Sequence, residues 1–163
     1  MVGIHRFVSV FLLSLGLLFS VNVKAAGSVE MQVESLIRQA LNGYNNAMEA
    51  EDTAEWLKYF SDKASRQSPL SNQSGKQEFS DFFNAEFKAF KAKYEVKNII
   101  VHGRNAAVVF SWEAQHKSSG DSIKVPMVAI FDMDSSGRFA SVAYYFDTAK
   151  LGKLRNDIAG SAN

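Results

Sequence analysis

Residues 105–147 read NAAVVFSWEAQHKSSGDSIKVPMVAIFDMDSSGRFASVAYYFD, and this stretch decides the fold. After Lys93 the pattern changes from helical to extended, and Asn105–Lys117, Ser122–Met133 and Arg138–Asp147 read as strands. A period of two is that of a strand with one buried face. The breaks between the runs, Ser118–Asp121 and Asp134–Gly137, are short and rich in Ser, Gly and Asp. Such connections suit antiparallel hairpins, because parallel strands need a much longer crossover. Upstream, Tyr94–His102 joins this set as a fourth strand through Gly103-Arg104.

Further upstream the period becomes helical. Val33, Leu36, Ile37, Ala40, Leu41, Tyr44, Ala47 and Met48 recur at spacings of three and four, one apolar stripe on a long helix. Asp52-Thr53-Ala54-Glu55 has the pattern of a capping box and opens a short second helix with Trp56, Leu57, Tyr59 and Phe60. Asp62–Gly75 is polar, contains Pro69 and reads as mostly loop or a short extended piece. Ser74-Gly75-Lys76-Gln77 is a second capping box, starting a third helix that carries Phe79, Phe82, Phe83, Phe87 and Phe90. The expected architecture is α+β: three N-terminal helices on one face of a four-stranded antiparallel sheet.

Residues 1–25 carry the three parts of a cleaved leader: Arg6, the uncharged run Phe7–Val21, and small residues before a cut after Ala25. That run is shorter than the ~20 apolar residues a membrane span needs. The expectation is export to a periplasm or the medium, with no stable membrane anchor. Residues 26–147 form one domain, and 148–163 a polar, weakly ordered tail. Losing 1–25 removes Arg6 and Lys24 and no acid, so the charge stays near zero. A balanced charge without basic clustering gives no footing for nucleic acid. The 13 Phe residues supply a packed core, which excludes disorder, and the absence of Cys excludes disulfides and thiolate chemistry.

The order of these elements, with AEDTAEWLKYFSDKASRQSP, the Phe-rich helix after Gly75 and AAVVFSWEA…VAIFDMDSSGRFASVAYYFD, resembles the nuclear transport factor 2-like superfamily. Its relatives include SnoaL-like polyketide cyclases and ketosteroid isomerases. The resemblance spans Val33–Asp147 and implies a cystatin-like cone, in which the sheet curves around the helices and encloses an apolar pocket. In that register Phe110, Trp112, Ala114 and His116 face inward, with Met127, Ala129 and Phe131, then Val142, Tyr144 and Phe146. The pocket-lining set is Tyr44, Phe110, Trp112, His116, Met127, Ala129 and Tyr144. The resemblance also implies a homodimer through the outer sheet face, whose opposite parity holds Val109, Ser111, Val128, Ile130, Ala143 and Tyr145.

Carried over position by position, the isomerase site keeps its Tyr as Tyr44. Its base falls on Ser68 and its oxyanion Asp on Ala129. Serine is no base near pH 7 without a neighbour, and alanine donates no hydrogen bond, so that chemistry is not expected. The acid/base candidates left are His116 and Tyr44. Neither His102 nor His116 belongs to a metal-ligand motif, and Asp132–Gly137 lacks the closing Glu of a calcium loop, so no metal and no cofactor is expected. With no carboxylate placed in the pocket, the sequence favours a non-catalytic binding or assembly module for a small apolar or aromatic ligand. The alternative is a SnoaL-like isomerase, cyclase or hydratase acting on a cyclic or carbonyl-bearing substrate.

Overall fold

The computed structural model describes residues 5–154; residues 1–4 of the expected leader and 155–163 of the expected tail lie outside the described residues. Helix α1 (His5–Ala50) turns Val33, Ile37, Ala40, Leu41, Tyr44, Ala47 and Met48 into the core, while Leu36 at the margin of that stripe is exposed. Among the described residues no helix is long and apolar enough to cross a membrane. Glu51 closes α1 in the left-handed conformation (φ 54). Asp52 then caps α2 (Thr53–Leu57), its Oδ1 accepting from the Ala54 and Glu55 amides at 3.1 and 3.3 Å. Satisfying these free N–H groups is what starts so short a helix.

The sheet has six strands: β1 (Phe60–Gln67), β2 (Asn72–Ser74), β3 (Phe90–His102), β4 (Asn105–His116), β5 (Ser122–Met133) and β6 (Phe139–Phe146). Their order across the sheet is β2-β1-β6-β5-β4-β3. The four-stranded antiparallel expectation is therefore corrected. Two strands occupy the segment read as mostly loop or a short extended piece, β1 takes Phe60 from the expected second helix, and β1 runs parallel to β6, with Arg66 beside Val142. Strand β1 lacks an apolar alternation because its buried positions after Phe60 are Ala64 and Arg66. All other neighbouring strands pair antiparallel, as the hairpins required.

Helix α3 (Gly75–Ala89) lies against β1 and carries Phe79, Phe82, Phe83, Glu86 and Phe87 inward. Its start differs from the expected capping box. The Ser74 side chain makes no capping bond, and Glu78 instead accepts from the Ser74 amide at 2.7 Å. The side chain of Asn45 fastens α1 to β3, accepting from the Tyr94 amide at 2.8 Å and donating to its carbonyl at 3.2 Å. At the β5–β6 turn, Asp134 Oδ1 accepts from the Ser136 and Arg138 amides at 2.8 and 3.1 Å. That is a hairpin turn built around an Asp.

The expected tail is ordered over its first part: Thr148–Leu154 forms short 3₁₀ turns, and Leu151 and Leu154 are buried. Asp147 begins this segment by accepting from the Ala149 amide at 2.9 Å. On the outer face, Val109, Ile130 and Tyr145 are exposed, and Val128 and Ala143 are half-buried. Ser111, expected there too, is covered between Glu95 and Pro126 of the adjoining strands.

Candidate functional site

The inward side chains of helix α3 reach two neighbouring parts of one core. Phe79 and Phe83 pack with Trp56 and Phe60 towards one end of the sheet, where Trp56 meets Phe60 edge-on at 4.9 Å. Phe82 and Glu86 sit one helical turn apart and face the other end. There Glu86 and Phe82 from α3, Arg66 from β1, and Tyr94, Trp112, Met127, Tyr144 and Phe146 from the sheet enclose a cavity of about 40 Å³. Leu151 of the 3₁₀ segment completes its wall.

Two charged residues are buried at this cavity, Arg66 and Glu86. The Tyr44 hydroxyl donates to Glu86 Oε1 at 2.6 Å, and Trp112 Nε1 donates to the Tyr44 oxygen at 3.3 Å. This relay runs from β4 through α1 to α3 and fixes the carboxyl in place. Burial pushes the Glu86 carboxyl above its ordinary range, a rise opposed by the Tyr44 hydrogen bond and the positive charge of Arg66. Burial and the neighbouring Glu86 charge push the Tyr44 phenol well up. Burial also raises Tyr94 and Tyr144. All three phenols therefore keep their protons near neutral pH and can serve only as donors or acceptors of hydrogen bonds.

Arg66 lies over the Phe82 ring at 4.0 Å and beside Tyr144 at 5.1 Å. A guanidinium is weakly hydrated and stacks well on such faces. Its Nη1 donates to Gln73 Oε1 at 2.7 Å and to the Ser71 and Ser68 hydroxyls at 3.3 and 3.5 Å. Ser68 spends its oxygen in the β1–β2 turn, accepting from the Ser71 amide at 3.1 Å. Ser68 shapes that turn and is not among the residues that line the cavity.

Three of the seven expected lining residues bound the cavity: Trp112, Met127 and Tyr144. Tyr44 stands one layer behind, wholly buried and stacked on Tyr94 at 3.9 Å, so it positions Glu86 and does not face the space. Phe110 is buried below Tyr94, edge-on at 4.8 Å, and Ala129 is fully buried opposite Tyr144. His116 has the parity of Trp112, yet it lies at the last residue of β4, beyond the cavity. Its ring packs on Phe90 at 5.1 Å, and Nδ1 bonds the Ser118 and Ser119 hydroxyls at 3.2 Å each. The expectation that no carboxylate faces the pocket is corrected by Glu86. The signal was present in the sequence: Glu86 stands four residues after Phe82 and three after Phe83, a charge on an apolar stripe.

A wider groove of about 730 Å³ crosses the ends of β3, β4 and β5, but it is shallow and open to water. Two of its lysines are in ion pairs, Lys93 with Glu113 at 3.1 Å and Lys124 with Glu95 at 2.8 Å. The smaller cavity differs in that the charged side chains lining it, Arg66 and Glu86, are buried.

A curved mixed sheet closed over helices, with a small aromatic cavity at one end, defines a cone-fold domain of the nuclear transport factor 2-like superfamily. The chain belongs to the SnoaL-like domain family, whose model matches residues 41–142. No curated protein matches its sequence. Among solved structures it is similar to the epoxide hydrolase/cyclase-like enzyme SalBIII, described in pyran ring formation in the polyether salinomycin. The TM-score is 0.66 at 15% identity, over 74% of this chain and 95% of that one. A Jannaschia protein assigned as a SnoaL-like polyketide cyclase gives 0.65 at 17% identity, over 80% and 94%. An LEH-like epoxide hydrolase of M. tuberculosis gives 0.60 at 16%, over 71% and 85%. At these identities the likeness shows the fold.

Proposed function

We propose that this is an exported binding domain for a small, flat, largely apolar molecule, held in the cavity between α3 and the sheet. The observation that carries this reading is a buried Glu86 and a buried Arg66 facing one aromatic-walled cavity without forming an ion pair with each other. Burying two such groups is costly, and a core built for stability alone would fill these positions with apolar side chains. Pockets of this make-up, apolar walls with a few converging polar groups, are the usual form of small-molecule sites. Met127→Trp should fill the cavity. Ligand-observed NMR with indole and toluene should show binding to the parent protein and none to the variant. Binding that survives Met127→Trp would place the ligand elsewhere.

A second reading is enzymatic, a SnoaL-like isomerase, cyclase or hydratase, and Glu86 is what favours it. A carboxyl with a raised pKa inside a cavity is suited to exchange protons with a substrate near neutral pH. The role of acid/base then passes from His116 and Tyr44 to Glu86. Turnover of a cyclic carbonyl substrate that vanishes in Glu86→Gln and persists in His116→Ala would establish it.

Two further properties complete the proposal. The leader is removed after Ala25, which N-terminal sequencing of protein recovered outside the cytoplasm would test. Val109, Ile130 and Tyr145 on the outer face cover the same face of a second copy, since exposed apolar sheet faces are usually covered. Val128→Lys should then shift sedimentation from dimer to monomer.

A further inference from the structure

We propose that the ligand is an apolar monocarboxylic acid whose carboxylate sits against Arg66 and Tyr144; this rests on the small-molecule reading above. Arg66 is 9% exposed and Tyr144 5%. The Arg66 Nε is buried without a hydrogen-bond partner, the Tyr144 hydroxyl has none but the neighbouring Tyr94 phenol, and both residues border the cavity. Native structures rarely leave a buried donor such as Arg66 Nε unpaired, and one at a cavity marks where an acceptor belongs.

Charge decides what kind of acceptor. Arg66 forms no ion pair among the described residues, and its Nη1 is committed to the neutral Gln73, Ser71 and Ser68. A guanidinium grips a carboxylate through two parallel N–H donors, with a fit that a single carbonyl oxygen cannot match. The Nε edge, free of internal bonds, offers that grip, and the Tyr144 O–H adds a third donor. Glu86 does not oppose this anion strongly. Its Oε1 is engaged by Tyr44, and burial favours its neutral form.

Space decides the rest of the molecule. The cavity of about 40 Å³ is narrow and partly open to solvent, so a ligand held in it with its carboxylate head at Arg66 lays its flat body along the wall. The body of the ligand therefore lies towards Phe146 and Leu151, where the wall is apolar. A second charged or hydroxylated group would be buried there without a partner, which excludes dicarboxylates and sugar acids.

Calorimetric titration with benzoate, benzamide and toluene tests this, because the three share a ring and differ in the acceptor. Benzoate should bind at least tenfold tighter than either neutral compound. Arg66→Met should abolish that advantage, bringing benzoate to the affinity of toluene for the same variant, with far-ultraviolet circular dichroism confirming the fold. If Arg66→Met fails to fold, Tyr144→Phe carries the test, weakening benzoate several-fold and toluene not at all. Benzoate binding no tighter than benzamide, or equal losses for all three compounds in a folded variant, would overturn the inference. Toluene binding that Met127→Trp abolishes, without a benzoate advantage, removes only the carboxylate. Failure of all three compounds to bind removes the small-molecule reading and this inference with it.

Discussion

The two ends of the interior are served by one helix and built on opposite rules. At the first end, Phe79 and Phe83 of α3 meet Trp56, Phe60 and Phe139, with ring centroids 4.9 to 5.9 Å apart for the closest pairs of Trp56 and Phe60. The second end is reached by Phe82 and Glu86 of the same helix. It holds a carboxyl, a guanidinium, an indole N–H and three phenols around a small cavity. The first end is close-packed and stabilises the domain. The second spends stability on polar groups, and that expense is the mark of a site.

The largest test of this contrast is a deletion at the dry end. Phe83→Ala should cost about 3–5 kcal/mol, the usual range for a buried Phe removed from a core. Urea unfolding should show the loss directly, and a cost near zero would mean the aromatic cluster is not the stabilising half.

Next in size is Tyr44→Phe, which removes the hydroxyl at the centre of the relay. Glu86 Oε1 loses its donor and Trp112 Nε1 its acceptor. The expected loss is about 1–3 kcal/mol, since two buried groups are left unpaired. Equal stability of the variant would show that the relay is not formed.

The third test uses pH. The folded-state pKa of Glu86 lies above its ordinary 4.5, so the native protein holds this proton more tightly than the unfolded chain does. That contribution is fully present below pH 4.5 and is lost as pH rises through the folded value. Glu86→Gln keeps an acceptor for Tyr44 and has no proton to lose. Its stability relative to the parent should therefore rise as pH increases from 4.5. Parallel stability profiles would contradict the assignment.

The smallest effect is expected for Tyr144→Phe. Its hydroxyl has no partner but the neighbouring Tyr94 phenol, so thermal unfolding should change by no more than about 0.5 kcal/mol in either direction. A loss matching that of Tyr44→Phe would reveal a bond at Tyr144 as firm as that at Tyr44 and blur the distinction between fixed and free donors.

The same contrast separates what the sequence revealed from what it hid. Strands β4 to β6 were legible because their buried positions alternate, as in Val108, Phe110 and Trp112, whereas β3 was legible only from Tyr94 and starts at Phe90. The aromatic stripe of α3 was legible through its helical spacing over Phe79, Phe82, Phe83 and Phe87, while Phe90, expected on it, opens β3. Strand β1 was not, because its inward positions Ala64 and Arg66 carry no apolar pattern, and its partner β6 lies far along the chain. Glu86 was hidden by attention to the phenylalanines around it. His116 misled through its parity: alternation tells which face a side chain takes, but not how far along the strand the helices reach. Residues placed by burial could be read locally. The polar residues of the site could not, because Arg66 and Glu86 meet only once β1 and α3 are packed together.

The central claim is that the polar end is a site built around a buried carboxyl. Its most direct test is a carbon-detected NMR titration of the Glu86 side chain, in the parent protein and in Tyr44→Phe. The account predicts a midpoint above 4.5 in the parent, and a higher one in Tyr44→Phe, where the hydrogen bond that favours the anion is gone. A Glu86 that titrates at or below 4.5, unmoved by Tyr44→Phe, would contradict it.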